Sequence, residues 1–446
     1  MPAKKVFIKT FGCQMNVYDS ERILEALVPS GFEETSQITN ADLIVLNTCN
    51  IREKAVEKVY SELGRIRKMC DLDSNRSKKK TIAIAGCVAQ AEGNEIVSRA
   101  PCVDVIVGPK SYHMLPSLVA RSELHGRRSV QIDLTYEEKF DALPKRNLAH
   151  KASAFLTVQE GCDKFCTFCV VPYTRGMEYS RPVEQLVNEA KSLIKLGSCE
   201  IILLGQNVNA YNGKGPYGNT WSLAQLIDTL SKIDGVKRLR YTTSHPRDMS
   251  DDLIQSHSYN KKLMPYIHLP FQAGSNRILK AMNRGHTSKE YLQIIDRIRF
   301  ANPEIAISTD IIVGFPGETA AEFDETLSVV EKVGFAQAFS FKYSPRPGTP
   351  ASEISDHINE TEKTSRLHAL QSILKEQQEL FNKRCIGKTL SVLFERKGRD
   401  SNQLIGRSPY LQQVYAVAPD RMLGCIVQVK IISATSGSLF AVLQDE

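Results

Sequence analysis

At 446 residues, with 42% apolar and 24% charged side chains, the chain has the make-up of a globular protein of two or three domains, not of a disordered or fibrous one. No run reaches the roughly 20 apolar residues of a membrane span, and Met1 to Lys5 holds no apolar signal core, so a cytoplasmic protein with no membrane attachment is expected. The formal charge of +7 fits a polyanionic partner without demanding one, and 11 cysteines in a reducing compartment argue for ligation or catalysis over disulfides.

The first third repeats one unit three times: an apolar strand-like run, a short loop bearing a cysteine, then a helical pattern. Val6-Phe7-Ile8 leads to Cys13, Leu43 to Leu46 leads to Cys49, and Ile82 to Ala85 leads to Cys87. Strand-helix alternation predicts a parallel sheet whose ligands gather at the carboxyl ends of the strands, which puts these three cysteines on one rim. We take this N-terminal α/β domain as residues 1–121. A stretch without periodicity, 122–153, reads as a linker; it holds Arg127-Arg128 and Lys145-Arg146.

Alternation resumes over 154–383, with strands expected at Phe155 to Gln159, Glu200 to Leu204, Leu239 to Thr243, Tyr266 to Leu269, Ala306 to Val313 and Ala338 to Tyr343. Six such units in succession predict a partial (β/α)6 barrel, active at its strand carboxyl ends. From 384 to 446 the pattern becomes short pieces of period two, such as Val427, Val429 and Ile431, and predicts a small antiparallel β-barrel, a form that often binds single-stranded nucleic acid. A structural cap is the alternative.

The densest motif follows the first barrel strand: Cys162, Cys166 and Cys169 stand in a Cys-x3-Cys-x2-Cys loop. Three thiolates on so short a loop suit a 4Fe-4S cubane and leave one of its irons open. Zinc would want a fourth ligand near by, and the nearest imidazole, His150, lies upstream of the strand.

That loop, read as GCDKFCTFCVVPYTRG from Gly161 to Gly176 at the head of a partial barrel, resembles the methylthiotransferases among the radical S-adenosylmethionine enzymes. Further stretches carry the resemblance: Thr10 to Glu21, Asn47 to Ala55 and Ala85 to Gln90 in the first domain, and Leu204 to Tyr211, Thr242 to Pro246 and Leu269 to Ser275 in the barrel. The barrel stretches look like the branch that acts on tRNA, with Ala273 where a serine would be expected.

The resemblance implies three domains: an N-terminal one holding a second 4Fe-4S cluster on Cys13, Cys49 and Cys87, a radical barrel with its cluster on Cys162, Cys166 and Cys169, and a C-terminal RNA-binding TRAM barrel. It implies transfer of a methylthio group to carbon 2 of an isopentenylated adenosine beside the anticodon of tRNA. Two S-adenosyl-L-methionine molecules would be used, one as methyl donor and one as radical source. Expected cofactor contacts are Gly205, Gln206, Ser308, Asp310 and Gly314, where glycine admits close backbone approach. Expected partners are the tRNA, an electron donor such as flavodoxin or ferredoxin and a source of sulfur; a monomer is expected.

Arg175 and Arg181 are candidates for phosphate or carboxylate binding, with surface ion pairing as the alternative. His245 and His268 are read as packing or hydrogen-bonding residues, and Cys70, Cys102, Cys199, Cys385 and Cys425 as structural. For RNA the candidates are Lys388, Arg396, Lys397, Arg399, Arg407 and Lys78 to Lys80, with Tyr410 and Tyr415 as stacking aromatics and Phe394 as core. The same chemistry on threonylcarbamoyl-adenosine tRNA or on a ribosomal-protein aspartate is one rival function. An iron-sulfur electron carrier or an RNA-binding protein with a structural metal is the rival of another class.

Overall fold

The computed structural model describes residues 3–49, 55–72, 79–134, 139–147 and 152–444. Lys78, His150 and residues 50–54 of the second cysteine loop lie outside them, as does the side chain of Cys70. Internal contacts divide the chain into two units. The first is 1–148 with 160–163 and 169–179; the second is 149–159, 164–168 and 180–446. Among the described residues no helix is long and apolar enough to cross a membrane.

The first unit is built on one parallel sheet of six strands: β1 (Lys4–Thr10), β2 (Phe32–Glu34), β3 (Leu43–Thr48), β4 (Thr81–Gly86), β5 (Val105–Val107) and β6 (Ser129–Gln131), in the order β2-β1-β3-β4-β5-β6. Central β3 and β4 are buried at every residue, as strands covered on both faces must be. Leu43, Val45, Ala83 and Ala85 meet the helices Gln14–Leu27 and Leu115–His125 through Ile23, Leu27, Leu115 and Leu118. Ile44, Leu46, Ile82 and Ile84 meet the helices Ala55–Leu72 and Cys87–Arg99 through Val59, Leu63, Val88 and Ile96. Part of the expected linker thus belongs to this sheet: β6 pairs with β5, and Ser129 is buried.

The second unit contains the six expected parallel strands: β7 (Ser153–Thr157), β8 (Glu200–Leu204), β9 (Arg238–Tyr241), β10 (Tyr266–His268), β11 (Ala306–Val313) and β12 (Gln337–Lys342). They form two three-stranded sheets, β9-β8-β7 and β10-β11-β12, joined by a parallel bridge between Leu239 and Leu263, an open barrel with β7 and β12 at its edges. Period two decides the faces. Leu156, Ile201, Leu203, Leu239, Ile307 and Ile311 pack outward on the helices, so Arg238, Arg240, His268, Ser308 and Asp310 face inward.

After the helix Glu360–Lys383 come β13 (Thr389–Lys397), β14 (Gln403–Arg407), β15 (Gln413–Val417), β16 (Ile426–Ala434) and β17 (Ser438–Leu443), closed as β13-β14-β15-β17-β16 around Val392, Phe394, Leu404, Val414 and Leu439. One pair departs from the antiparallel expectation: β15 and β17 run parallel, because the long β16 crosses between them in sequence. This small barrel seals the amino ends of the large one. Arg240 donates to the carbonyls of Ser408 and Pro409, both at 2.8 Å, and to Glu200 at 2.9 Å, while Arg238 donates to the carbonyl of Arg407 at 3.1 Å. Tyr266 packs there against Phe381 and Tyr410. The carboxyl ends are left for chemistry.

Candidate functional site

Cys13, Cys49 and Cys87 follow β1, β3 and β4, which are neighbours in the sheet, so they rise from one edge. Two of the loops depend on glycine. Gly12 has φ +113° and a Cβ there would stand 2.2 Å from the Cβ of Cys49; Gly86 has φ +90° and a Cβ would stand 2.5 Å from the Thr48 carbonyl oxygen. Cys13 caps the helix Gln14–Leu27 and Cys87 opens the helix Cys87–Arg99, where the helix dipole favours a thiolate.

Beside these thiols lies a buried charge network. Arg175 reaches Asp19 at 2.6 Å and Glu160 at 2.9 Å, and Glu160 also takes Lys139 at 2.7 Å and Lys110 at 3.5 Å. Among these residues three cations meet two carboxylates, and buried positive charge is costly unless anions answer it. The thiols can supply such an anion. A hydrogen bond with Cys49 and the charge of Arg175 hold Cys13 at about 6 in spite of burial, whereas burial raises Cys87 against the opposing pull of Arg175. Burial also works to raise Glu160, but Lys139, Lys110 and Arg175 prevail and keep it at about 2.

The Cys162–Cys169 loop is shaped by its own glycine and by polar anchors. Gly161 has φ +80°, and a Cβ there would lie 1.9 Å from the Met177 carbonyl oxygen; the Cys162 amide donates to the Gly176 carbonyl at 3.2 Å. Further along, the Thr167 amide donates to the Met282 carbonyl at 3.1 Å, and Asn283 donates to the carbonyls of Lys164 and Phe165. Arg284 donates to the buried Cys166 sulfur at 3.4 Å and to the Pro270 carbonyl at 2.6 Å. Among the described residues no group of three or more Cys, His, Asp or Glu side chains is gathered tightly enough to hold a single metal ion.

At the strand ends, the Gln159 side-chain oxygen accepts from the amides of Gln206 at 2.9 Å and Asn207 at 3.1 Å, and a Cβ on Gly205 would lie 2.6 Å from that oxygen. Gly314 has φ +73°, and a Cβ would stand 2.3 Å from Lys363 Cγ; its amide donates to Glu318 at 2.7 Å, itself held by Arg366 at 2.8 Å. Ser308 and Asp310 share the inner face: Ser308 Oγ lies 3.0 Å from His268 Nδ1, and His268 Nε2 lies 3.4 Å from Asp310. Around the same mouth, Asn207 Oδ1, Ser244 Oγ, His245 Nε2 and Gln272 Oε1 are buried with no hydrogen-bond partner among the described residues. Orphaned polar atoms in a ring fit a polar ligand with several donors and acceptors, as S-adenosylmethionine is.

Three family models match the chain in succession: the uncharacterized protein family UPF0004 over residues 5–108, the radical SAM superfamily over 156–330 and the TRAM domain over 383–443. That order is the signature of MiaB-type methylthiotransferases. The chain belongs to this group. It is a radical S-adenosylmethionine enzyme, a class that uses a 4Fe-4S cluster and S-adenosylmethionine. Among solved structures it is similar to the radical S-adenosylmethionine methyltransferase TsrM from Kitasatospora setae, bound to cobalamin and a [4Fe-4S] cluster, at 13% identity and a TM-score of 0.57, over 78% of this chain and 77% of that one. It is also similar to the cobalamin-dependent S-adenosylmethionine radical enzyme OxsB, at 14% identity and a TM-score of 0.53, over 82% of this chain but only 56% of that one. Such likenesses show the fold.

Within this methylthiotransferase several expected roles change. Arg175 and Arg181 are neither phosphate sites nor surface pairs: both are buried, and Arg181 is bound to the Thr157 carbonyl at 2.8 Å and Glu189 at 2.9 Å. Lys80 is buried too and donates to the carbonyls of Ile38, Thr39 and Ala41, so it is not a contact for RNA. Lys79 pairs with Asp104 at 2.7 Å and Lys388 with Glu304 at 2.9 Å; Lys397 pairs with Asp420 and Arg407 with Glu395. Phe394 is core as expected, and Tyr410 packs on Phe381, whereas Tyr415 stacks on Phe440 with ring centroids 5.5 Å apart on the outer face. Cys425 is exposed, unlike buried Cys199 and Cys385, and Cys102 is half-buried. His245 accepts from the Arg247 amide, and burial depresses its basicity strongly.

Proposed function

We propose that this enzyme transfers a methylthio group to carbon 2 of an N6-isopentenylated adenosine beside the anticodon of tRNA. The observation that carries the reading is the pair of cysteine triads, one at the edge of the N-terminal sheet and one in the loop after β7, within a single chain that also carries a TRAM domain. Three thiolates leave one iron of a four-iron cluster without a protein ligand. With both clusters bound, one supplies the electron that cleaves S-adenosylmethionine and the other carries the sulfur to be transferred.

The chain's own residues bind and orient. Cys162, Cys166 and Cys169 hold the radical cluster, and Arg284 directs an N–H at the Cys166 sulfur. The cofactor is seated at the strand carboxyl ends, against the backbone at Gly205, Gln206 and Gly314. Cys13, Cys49 and Cys87 hold the second cluster, with Arg175 as its buried counter-charge. On the TRAM barrel the Tyr415–Phe440 pair gives unpaired bases a flat apolar surface. An external electron donor of the flavodoxin or ferredoxin kind and a sulfur source complete the system.

The test is anaerobic turnover of the doubly reconstituted protein on three substrates: isopentenylated tRNA, threonylcarbamoylated tRNA and a ribosomal protein bearing the target aspartate. A 2-methylthio-N6-isopentenyladenosine residue formed in the first alone, with 5′-deoxyadenosine released, supports the reading. Product from either of the others alone refutes the substrate. No cleavage of S-adenosylmethionine under reduction refutes the chemistry.

A further inference from the structure

The inner face of β12 carries two phenylalanines that the core does not use. Phe339 is 44% and Phe341 47% exposed. Their direction is fixed by register and by their neighbours: Phe339 pairs with Asp310 and Phe341 with Ile312, while Ser340 and Lys342 bond to the helix Glu360–Lys383 on the opposite face. The open side chains therefore look into the barrel. Apolar rings left half-bare in an enzyme's interior are unusual, because burying them would be favourable.

A polar pair stands next to them. Phe339 meets His268 edge-on, with centroids 6.1 Å apart, and His268 Nε2 lies 3.4 Å from Asp310 Oδ2. Ser308 at 3.0 Å from His268 Nδ1 fixes the imidazole plane. With both imidazole nitrogens engaged, His268 orients the carboxylate, whose other oxygen accepts a hydrogen bond. The group that answers it is an exocyclic amine N–H, which adenine presents at its Hoogsteen edge and guanine, with O6 and N7 there, does not. Two same-face residues of a strand stand about 6.7 Å apart, twice the thickness of a stacked base, so one planar ring fits beside both phenyl groups.

We propose that Phe339 and Phe341, with His268 and Asp310 at their side, form the seat for the adenine ring of the RNA substrate. This rests on the reading above that the substrate is RNA, and it gives Asp310 to the base instead of to the cofactor. Phe339 and Phe341 position the ring by stacking; Asp310, oriented by His268, selects its edge. S-adenosylmethionine also contains an adenine, so the test separates the two sources.

The experiment uses the reconstituted enzyme and measures, by fluorescence anisotropy, the affinity for a short RNA hairpin with one unpaired adenine at the target position and for the same hairpin with an abasic site there. Calorimetry measures the affinity for S-adenosylhomocysteine. The wild type should prefer the adenine hairpin by about 10-fold or more, as stacking on an aromatic side chain predicts. Phe339→Ala should reduce that preference to about twofold or less, and Phe339→Tyr should retain it, with S-adenosylhomocysteine affinity unchanged in both. Full preference in Phe339→Ala overturns the proposal. So does a parallel loss of S-adenosylhomocysteine affinity, which would make this the seat of the cofactor's own adenine. A wild type that binds both hairpins equally overturns the seat but not the RNA reading; one that binds neither overturns both.

Discussion

Replacing Arg175 by methionine removes a guanidinium while keeping most of the apolar stem. Its partners do not suffer equally. Glu160 keeps Lys139 at 2.7 Å and Lys110 at 3.5 Å, but among the described residues Asp19 is left with only Lys139 at 3.9 Å. Breaking a buried pair by removing one member costs about 3–5 kcal/mol, chiefly for the charge left behind. With one carboxylate stranded and the other still paired, the low end applies, about 3 kcal/mol. At 1.36 kcal/mol per tenfold, this is about a 150-fold change in an opening equilibrium. The chain has more than one domain, so a single melting curve would mix transitions; amide hydrogen exchange over the central strand Leu43–Thr48 reports on this unit alone. Exchange there should speed up about 150-fold in Arg175→Met, and most of the protection should return in Arg175→Met/Asp19→Asn, which removes the stranded charge. Unchanged exchange in the single variant, or a double variant no better than the single, would refute the argument.

Arg284→Met takes an N–H from the Cys166 sulfur, which makes a bound cluster harder to reduce; loss of about 1.5 kcal/mol of hydrogen bonding lowers its midpoint potential by about 60 mV in a redox titration followed by electron paramagnetic resonance. A potential within about 15 mV of the wild type would show that the contact does not reach the cluster. Tyr415→Ala should weaken RNA binding about 10-fold in anisotropy, whereas Lys80→Ala should leave it unchanged and loosen the N-terminal sheet instead; the reverse pattern would return Lys80 to the RNA surface. In acid, Glu160 is depressed from 4.5 to about 2 in the folded chain, so its contribution is full above pH 4.5 and disappears as the pH falls toward 2. Protection factors at Leu43–Thr48, taken relative to the intrinsic exchange rate at each pH, should fall across that window, and Glu160→Gln should flatten the pH dependence.

The barrel strands were legible because their runs are apolar and bounded by turns: Glu200–Leu204 and Ala306–Val313 lie where their sequences place them. The three strand-end cysteines were legible for the same reason, since the chain repeats one pattern. Strands β2, β5 and β6 were not, being three residues each, too short to show a period, and β6 lies among charged residues. The charge network beside the cysteines was invisible for a different reason. Asp19, Lys110, Lys139, Glu160 and Arg175 are scattered along the sequence, and isolated charges read as surface until folding brings them together. Gln159 carries no signal beyond closing a strand, although it holds the backbone at Gln206 and Asn207. Ser308 and Asp310, by contrast, had their answer in the spacing: two residues apart on a strand, they must share a face.

The central claim is that two clusters sit on two separate triads. Iron and sulfide analysis of anaerobically reconstituted protein tests it directly, comparing the wild type with alanine replacements of Cys13, Cys49 and Cys87 and of Cys162, Cys166 and Cys169. The account predicts about eight irons per chain in the wild type and about four in either triple variant, each retaining the Mössbauer signature of a four-iron cubane. About four irons in the wild type, unaffected by loss of Cys13, Cys49 and Cys87, would contradict it.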